Sequence, residues 1–576
     1  MSDSTTENCR HPSGATGPAR VLRQVLTLPL RPAGGVWFFV ILGIAALVMA
    51  PVLALLWQAS QGSAMLWSHL MGSVLPHAFG QTLILMTGVG ILVAFTGTLL
   101  AWTVTAYDFR GRRLLEWGLL LPLAVPTYIV AYAYLDLLHP IGPVQDFLRQ
   151  MLGYSSPRQF RLPDLRSMPG AILLLSLVLF PYVYLPVRAM FTTQAANLLE
   201  VSRTLGLSRR AAFWRVAVPS ARPAIAVGVS LALMEVLNDI GASEFLGVRS
   251  LTISVYTTWV TRSDLPGAAQ IALAMLVLVV ALVSLERWAR RNQRYNVNAQ
   301  RARMMVPLRI RGPRAAGLFA LAALPMIFGF VIPGGYLAIE AAERFHSAGL
   351  SAQLLREAGN SFMISALATL AVLICGVIIA CGARLFPSRP LQIAQRISGL
   401  GYAMPGTVLA IGILTVSAGF DRRLDALMQS WFGLSTGLLL IGSGMALGYA
   451  YLVRFLGIAS GSTEAGLTRF PRSYDHAARS LGRSAAGTVF SLHLPLSRSA
   501  IAAGGLLVFV DCMKELSATL LLRPLNFETL ATHLYGEAAR GTYEEASIAA
   551  LAIVAVGILP VILLARVGRQ GRQRAA

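Results

Sequence analysis

Residues 200–228 read EVSRTLGLSRRAAFWRVAVPSARPAIAVG, and residues 476–504 read HAARSLGRSAAGTVFSLHLPLSRSAIAAG. Placed at a constant offset of 276 and without a gap, the two stretches share 10 of 29 positions. The shared residues include Leu205/Leu481, Gly206/Gly482, Ser208/Ser484, Pro219/Pro495, Arg222/Arg498 and Gly228/Gly504. Each stretch begins polar and runs into an apolar segment. A duplication of this kind predicts a chain made of two similar halves. The shared Gly permits a sharp turn between two short helices, and the shared Pro suits a break before the next span. Small residues early in the stretch let a partner approach a short helix closely.

The chain around this repeat is apolar. Of 576 residues 55% are hydrophobic, mean hydropathy is +0.63, and only 13% are Asp, Glu, Lys or Arg. A soluble domain carries roughly a quarter of charged residues. That difference excludes both a soluble domain and a disordered chain. The net charge of +22 would suit a nucleic-acid binder, but such proteins are neither this apolar nor this poor in charge. Twelve hydrophobic segments are predicted, at 36–58, 82–106, 114–135, 170–190, 222–247, 268–286, 316–339, 360–383, 397–419, 436–453, 499–522 and 546–565. A bilayer span takes about 20 apolar residues.

All but one of the 48 basic residues are Arg, and their placement predicts orientation. With the N-terminus cytoplasmic, 35 arginines fall inside and 12 outside, giving net charges of +27 inside, −2 outside and −3 within spans. The external loop 136–169 holds four arginines, contains Pro140, Pro143, Pro157 and Pro163, and is expected to fold as a small cap. The predicted organisation is a cytoplasmic tail 1–35, a first half 36–286, an Arg-rich cytoplasmic linker 287–315, a second half 316–568 and a cytoplasmic tail 569–576. The tail before the first span is longer than a signal peptide's n-region, so it is expected to stay uncleaved. Six spans precede the second half, so the halves are parallel, with a pseudo-two-fold axis along the membrane normal.

Lys514 is the only lysine. A phosphate-binding loop of the form G-x-x-x-x-G-K-[ST] needs that residue after a glycine run, and Lys514 precedes Glu515 with no such run. The chain is therefore expected to hold no ATPase site and to be no enzyme. Cys9, Cys375, Cys381 and Cys512 lack metal-ligand spacing and read as small apolar fillers or tail residues, so no metal site is assigned.

Ionisable residues inside spans are costly and default to functional candidates. Here they recur with the repeat: Glu235 aligns with Asp511, Asn238 with Lys514, and Asp239 with Glu515. Positions four apart share a helix face, so each fifth span presents two acids on one stripe. Lys514 is placed to pair with these acids. Three readings stand: the acids line a pathway, they lock the halves by charge pairing, or they lie in loops outside the bilayer. Prolines recur too. Ala124-Val125-Pro126-Thr127 resembles Ala403-Met404-Pro405-Gly406, and Pro126 and Pro405 are expected to kink their spans, as hinges or as static bends.

The duplicated stretch resembles the EAA loop of binding-protein-dependent ABC importer permeases. In the first copy the matching residues are Glu200, Gly206 and Pro219; in the second they are His476, Ala477, Ala478, Gly482 and Pro495. The first copy has Val201 and Ser202 where the motif has alanines. The second has His476 in place of the acid, with Asp475 just before it as a candidate substitute. The resemblance covers about 82–286 and 360–565, each with one extra leading span. It implies an all-α polytopic protein of about 12 transmembrane helices in two six-helix halves, the type I ABC importer permease fold. It also implies a bacterial inner-membrane location in contact with lipid. The partners implied are two ABC ATPase subunits, which use the ATP and Mg, and a periplasmic substrate-binding protein. No nucleic acid and no cofactor bound by this chain are implied.

Two further stretches resemble ferric-iron importer permeases, in which one chain carries both halves. They are Met513-Lys514-Glu515-Leu516-Ser517-Ala518-Thr519-Leu520-Leu521-Leu522-Arg523-Pro524 with Asn526-Phe527-Glu528-Thr529-Leu530-Ala531-Thr532, and Asn238-Asp239-Ile240-Gly241-Ala242 leading to Phe245-Leu246-Gly247-Val248. Permeases for thiamine, polyamines or phosphonates are built similarly and remain alternatives. From another class, a proton-coupled secondary transporter would use the intramembrane acids as proton carriers and need no ATPase. A non-transporting scaffold would leave the duplicated loop without a use.

Overall fold

In hydrocarbon every backbone N–H and C=O must be satisfied within the protein, which leaves helices as the form an apolar chain of this kind can take. The computed structural model describes residues 32–62, 68, 70–193, 206–290 and 307–573, and its described residues are overwhelmingly helical. The first half contains α1 (Pro32–Ser60), α2 (Leu75–Ala106), α3 (Thr127–Leu137), α4 (Met168–Leu179), α5 (Pro181–Thr193), α6 (Val218–Asn238), α7 (Gly241–Phe245), α8 (Leu251–Val260) and α9 (Leu265–Arg290). The second contains α10 (Ile332–Ala348), α11 (Ala352–Leu385), α12 (Gly406–Phe432), α13 (Met445–Leu467), α14 (Ser473–Ser480), α15 (Leu494–Met513), α16 (Ser517–Leu522), α17 (Leu530–Arg540) and α18 (Tyr543–Gln573). Two-residue strands β1 (Tyr107–Asp108) and β2 (Leu308–Arg309) pair in parallel and tie the end of α2 to the start of the second half.

Eight helices are long and apolar enough to cross a membrane, and three bent pairs bring the number to as many as 11 among the described residues. The tenth expected segment, 436–453, is the difference from twelve. Gly444, at φ 79°, divides it between the turn Leu439–Gly442 and α13, which starts at Met445 and runs on to Leu467. Arg454, just past the expected segment, lies inside α13 and is buried.

The repeat is legible in the packing. Thr82 Oγ1 accepts the backbone N–H of Leu251 at 2.9 Å, and Ser361 Oγ accepts that of Leu530 at 2.7 Å. These bonds place α8 and α17 alike against α2 and α11. The three-helix cores match as well. A Cβ on Gly97 would lie 2.7 Å from Val183 Cβ, and one on Gly376 would lie 2.7 Å from Ala459 Cβ. Gly228 and Gly504 meet the same partner helices, α5 and α13, from the other side. Only glycine lets these helix backbones approach so closely.

The halves also interlock. α1 packs on α12, where Gly412 faces the Pro51 carbonyl. The leading span of the second half packs on the first: Tyr134 Oη donates to the Phe328 carbonyl at 2.6 Å, and Tyr336 Oη donates to Asp136 Oδ2 at 2.5 Å. Each leading span thus braces the opposite half. The segment 136–169, expected outside, folds on itself around the helix Pro143–Leu152: Arg149 reaches the Pro140 carbonyl at 2.7 Å, and Gln145 that of Leu138 at 2.7 Å.

The two prolines expected as kinks inside spans are instead breaks between helices. Pro126 follows a 3₁₀ turn (Leu121–Ala124) and precedes α3; Pro405 follows a 3₁₀ turn (Leu400–Ala403) and precedes α12. Both have polyproline-like angles, φ −56° and ψ 145° for Pro126, φ −58° and ψ 142° for Pro405. The helix axes turn by 91° and 115° at these points. A proline opens a helix readily, and its ring favours extended backbone in the residue before it, as Val125 and Met404 both show.

Candidate functional site

α6 and α15 both end near mid-chain of their bundles, and the acids that follow perform the same local task. Ala242 N–H donates to Asp239 Oδ1 at 2.8 Å at the start of α7, and Ala518 N–H donates to Glu515 Oε1 at 3.0 Å at the start of α16. A carboxylate there satisfies N–H groups that the helix leaves open. The helix breaks bring both acids to the interface between the halves, where they are almost fully buried.

All six residues predicted from the aligned spans line one cavity: Glu235, Asn238, Asp239, Asp511, Lys514 and Glu515. Pro126 lines it too, whereas Pro405 does not; it precedes Gly406, whose N–H reaches the lining residue Asn238. The lining is pseudo-symmetric, with Ile240 opposite Leu516 and Gly241 opposite Ser517. The space amounts to about 80 Å³, enough for only a few water molecules.

Lys514 Nζ lies 2.8 Å from Asp511 Oδ1, one helical turn away. Glu515, the other candidate partner of Lys514, pairs elsewhere: its Oε1 is 3.2 Å from Arg454 Nη1. Asn238 Oδ1 accepts from Arg454 Nη1 at 2.9 Å and from the Gly406 N–H at 2.8 Å. Ser517 Oγ donates to the Asn238 carbonyl at 2.5 Å, and Tyr128 Oη donates to that of Lys514 at 3.3 Å. Asn238 therefore stitches the first half to three residues of the second. Arg454 was missed by sequence reasoning. At the repeat's own offset of 276 it aligns with Val178, and both residues line the cavity. That alignment, carried upstream into α4 and α13, was the available signal. Counted as charged, the lining holds four carboxylates against Lys514 and Arg454. Among the described residues no group of three or more His, Cys, Asp and Glu side chains is placed to hold a metal ion.

The duplicated loops lie at the other end of α6 and α15. Gly206 and Gly482 take the left-handed backbone at φ 83° and 75°, the turn that glycine adopts without strain. Ser208 Oγ then accepts from Ala211 N–H at 3.3 Å, and Ser484 Oγ from Gly487 N–H at 3.0 Å. Pro219 and Pro495 do not mark breaks, as expected, but sit in continuous helices that run over Arg210–Asn238 and Ala485–Met513. One π-turn before each proline, Phe213–Ala217 and Val489–His493, makes room. The wider turn absorbs the carbonyl that a proline leaves without a donor. Trp214 and Phe490, equivalent positions in these turns, are both well exposed, and Leu481 is 83% exposed.

Glu200 lies outside the described residues. His476, Ala477 and Ala478 form the middle of α14. Asp475, the candidate substitute acid, points inward: Arg384 Nε lies 2.7 Å from Oδ2, and His493 Nε2 lies 2.8 Å from Oδ1. Burial alone would raise this carboxyl, but the bonds from His493 and Arg384 outweigh it and hold it below the usual range. Arg384 also donates to the Leu467 and Phe470 carbonyls. Asp475 thus fastens its loop to the end of α11 and is not displayed to a partner.

Residues 86–295 and 372–571 each match the family described as binding-protein-dependent transport system inner membrane component. The chain belongs to that family. It is a multi-pass inner-membrane permease of the ABC importer class, with two all-α halves. Among its relatives, an Fe(3+)-transport system permease protein (FbpB 2) of Haemophilus influenzae is 26% identical over 487 residues, covering 84% of this chain and 88% of that one. A sulfate transport permease (CysT) of Salmonella typhimurium is 28% identical over 254 residues, 42% of this chain and 87% of its own. A molybdenum transport permease (ModB) of Escherichia coli is 27% identical over 204 residues, 34% and 86% of the two chains. Permeases of this family work with ATPase and binding-protein partners, which sets aside the secondary-transporter reading.

Proposed function

We propose that this permease imports ferric iron delivered by a periplasmic binding protein, with two ATPase subunits docked at the Gly206 and Gly482 loops. In this reading the ATPases bind and hydrolyse ATP with Mg, and the N- and C-termini lie in the cytoplasm. The observation that carries the cargo is the cavity lining, where four carboxylates face two cations. Ferric iron is a hard cation that prefers oxygen ligands. A sulfate or molybdate dianion would meet excess negative charge. The likeness to an Fe(3+) permease along 84% of this chain, against less than half for the sulfate and molybdenum permeases, supports the same choice. Glu235, Asp239, Asp511 and Glu515 line the path, Lys514, Arg454 and Asn238 hold the halves in register, and the bends at Pro126 and Pro405 set the cavity's rim.

The loops fit the docking role. Each has a glycine in the left-handed backbone and leaves an apolar side chain, Trp214 or Phe490, uncovered. The test is uptake of radiolabelled ferric iron, sulfate and molybdate into proteoliposomes holding the permease with its ATPase and binding protein. Iron-dependent, ATP-dependent uptake supports the reading; uptake of either oxyanion instead overturns the cargo but not the class.

A further inference from the structure

A second cleft lies where β1 and β2 meet. It spans about 740 Å³, within the ~300–1,000 Å³ typical of small-molecule sites. Arg110, Arg309 and Arg311 line it, with Asp108 as the one acid. Its floor is apolar, made by Phe109, Ala315 and Phe319. The clasp is well fixed: Ile310 N–H donates to the Asp108 carbonyl at 2.9 Å, and Arg309 Nε lies 3.7 Å from Asp108 Oδ2. Gly111, at φ 90°, brings the chain so close to Phe319 that a Cβ would sit 2.7 Å from its ring. The turn after β1 is thereby pressed onto the helix that opens the second half.

The surroundings indicate what enters this cleft. Arg113 and Arg314 flank it and are exposed, so five arginines surround one acid that already pairs with Arg309 and Arg112. The helix Pro313–Met326 packs against Arg112–Gly118. Both leave large apolar side chains uncovered, Leu114 at 45%, Leu321 at 61% and Leu324 at 43%. An arginine-lined cleft with an apolar floor, continuous with a bare apolar surface, matches an amphiphile with an anionic head. The cleft sits at the end of α2, the level at which α11 ends beside the second duplicated loop. That is the membrane-surface end of both helices, where basic clusters attract acidic headgroups.

We infer that the cleft between β1–β2 and the helix Pro313–Met326 is a binding site for an anionic phospholipid, its phosphate held by Arg110, Arg309 and Arg311 and its chains laid along Leu114, Leu321 and Leu324. The site would join the linker of the two halves to the membrane surface. It does not depend on which cargo is carried.

The full chain, purified in detergent, is incubated with phosphatidylglycerol, with phosphatidylcholine of the same chains, or with glycerol 3-phosphate, and bound lipid is read by native mass spectrometry. Phosphatidylglycerol is expected to bind at least about tenfold more tightly than phosphatidylcholine, and glycerol 3-phosphate is expected not to displace it at equal concentration. The triple variant Arg110→Gln/Arg309→Gln/Arg311→Gln should lose at least about tenfold of that affinity. The control Arg158→Gln/Arg161→Gln/Arg166→Gln, in the segment 136–169, should keep it. Where the triple variant aggregates, Arg110→Gln alone is read, with a loss of about fivefold expected. Equal binding of the two lipids, or wild-type affinity in the triple variant or in a folded Arg110→Gln, overturns the site. Displacement by glycerol 3-phosphate overturns the lipid as occupant.

Discussion

The two halves follow one plan and part company in charge at a buried position facing the cavity. Where the first half has Val178, the second has Arg454, and that guanidinium reaches Glu515 in its own half and Asn238 in the other. The corresponding acid of the first half, Asp239, caps its short helix without an arginine beside it. The two halves also carry different ion pairs. The second is fastened from within by Asp475, Arg384 and His493. In the first half, Arg188 pairs with Glu116 at 3.2 Å, and Arg112 also lies 3.2 Å from Glu116. A duplicated fold thus keeps its backbone devices, the glycine contacts and caps, and diverges in which charges are neutralised. Among the described residues the buried arginine of the cavity belongs to the second half.

The largest effect should come from removing the asymmetry. Arg454→Val leaves Glu515 buried without its partner, a loss of about 3–5 kcal/mol when a buried pair is broken from one side. Thermal unfolding of the purified variant should show it, and Arg454→Val/Glu515→Gln should recover most of the loss. Equal stability of wild type and Arg454→Val would remove the anchor from the account. Gly97→Leu and Gly376→Leu probe what the halves share. Each forces apart a close helix contact at a cost of about 1–3 kcal/mol, and the two variants should lower folded yield to similar extents. A large difference would mean that the backbone plan is not equivalent.

The loops come next. A Cβ on Gly206 or Gly482 would meet no atom within 4 Å, so the main cost of replacing both by alanine is left-handed backbone strain, about 1–2 kcal/mol per site. Membrane insertion should persist while ATP-dependent uptake is lost. Normal uptake would separate these turns from coupling. The smallest effect is in pH. The Asp475 carboxyl is held below its ordinary value in the folded protein, so its contribution is present above about pH 4, the unfolded value, and fades as pH falls through the lower folded value. Asp475→Asn should flatten that acid limb of stability, and an unchanged limb would remove Asp475 from it.

Much of this was legible in the residues. The gapless repeat fixed the two-half architecture, and the aligned triplets Glu235-Asn238-Asp239 and Asp511-Lys514-Glu515 turned out to line one cavity, because an offset kept through two helices carries its side chains to equivalent faces. Arg454 was not legible, since a lone charge at the edge of an apolar run reads as the end of a span. Only the partners Glu515 and Asn238, 61 and 216 residues away, make its burial tolerable. The prolines were misread for a local reason. A π-turn at Pro219 and Pro495, or a 3₁₀ turn at Pro126 and Pro405, changes what a proline does, and neither turn has a residue signature of its own. Asp475 drew attention as an acid near the loop motif, but its partners Arg384 and His493 lie on two other helices.

The central claim is that the acidic cavity between the halves is the path of a cation. It is tested most directly by comparing wild type with Asp239→Asn/Glu515→Gln in proteoliposomes, measuring ferric iron uptake and ATP hydrolysis together. Both substitutions keep a hydrogen-bond acceptor for the short helices α7 and α16 while removing two charges. The predicted result is a fall in iron uptake of about tenfold or more with ATP hydrolysis retained, a change of about 1.4 kcal/mol or more in the transport step. Unchanged uptake with unchanged hydrolysis would contradict the claim and leave these acids as helix caps alone.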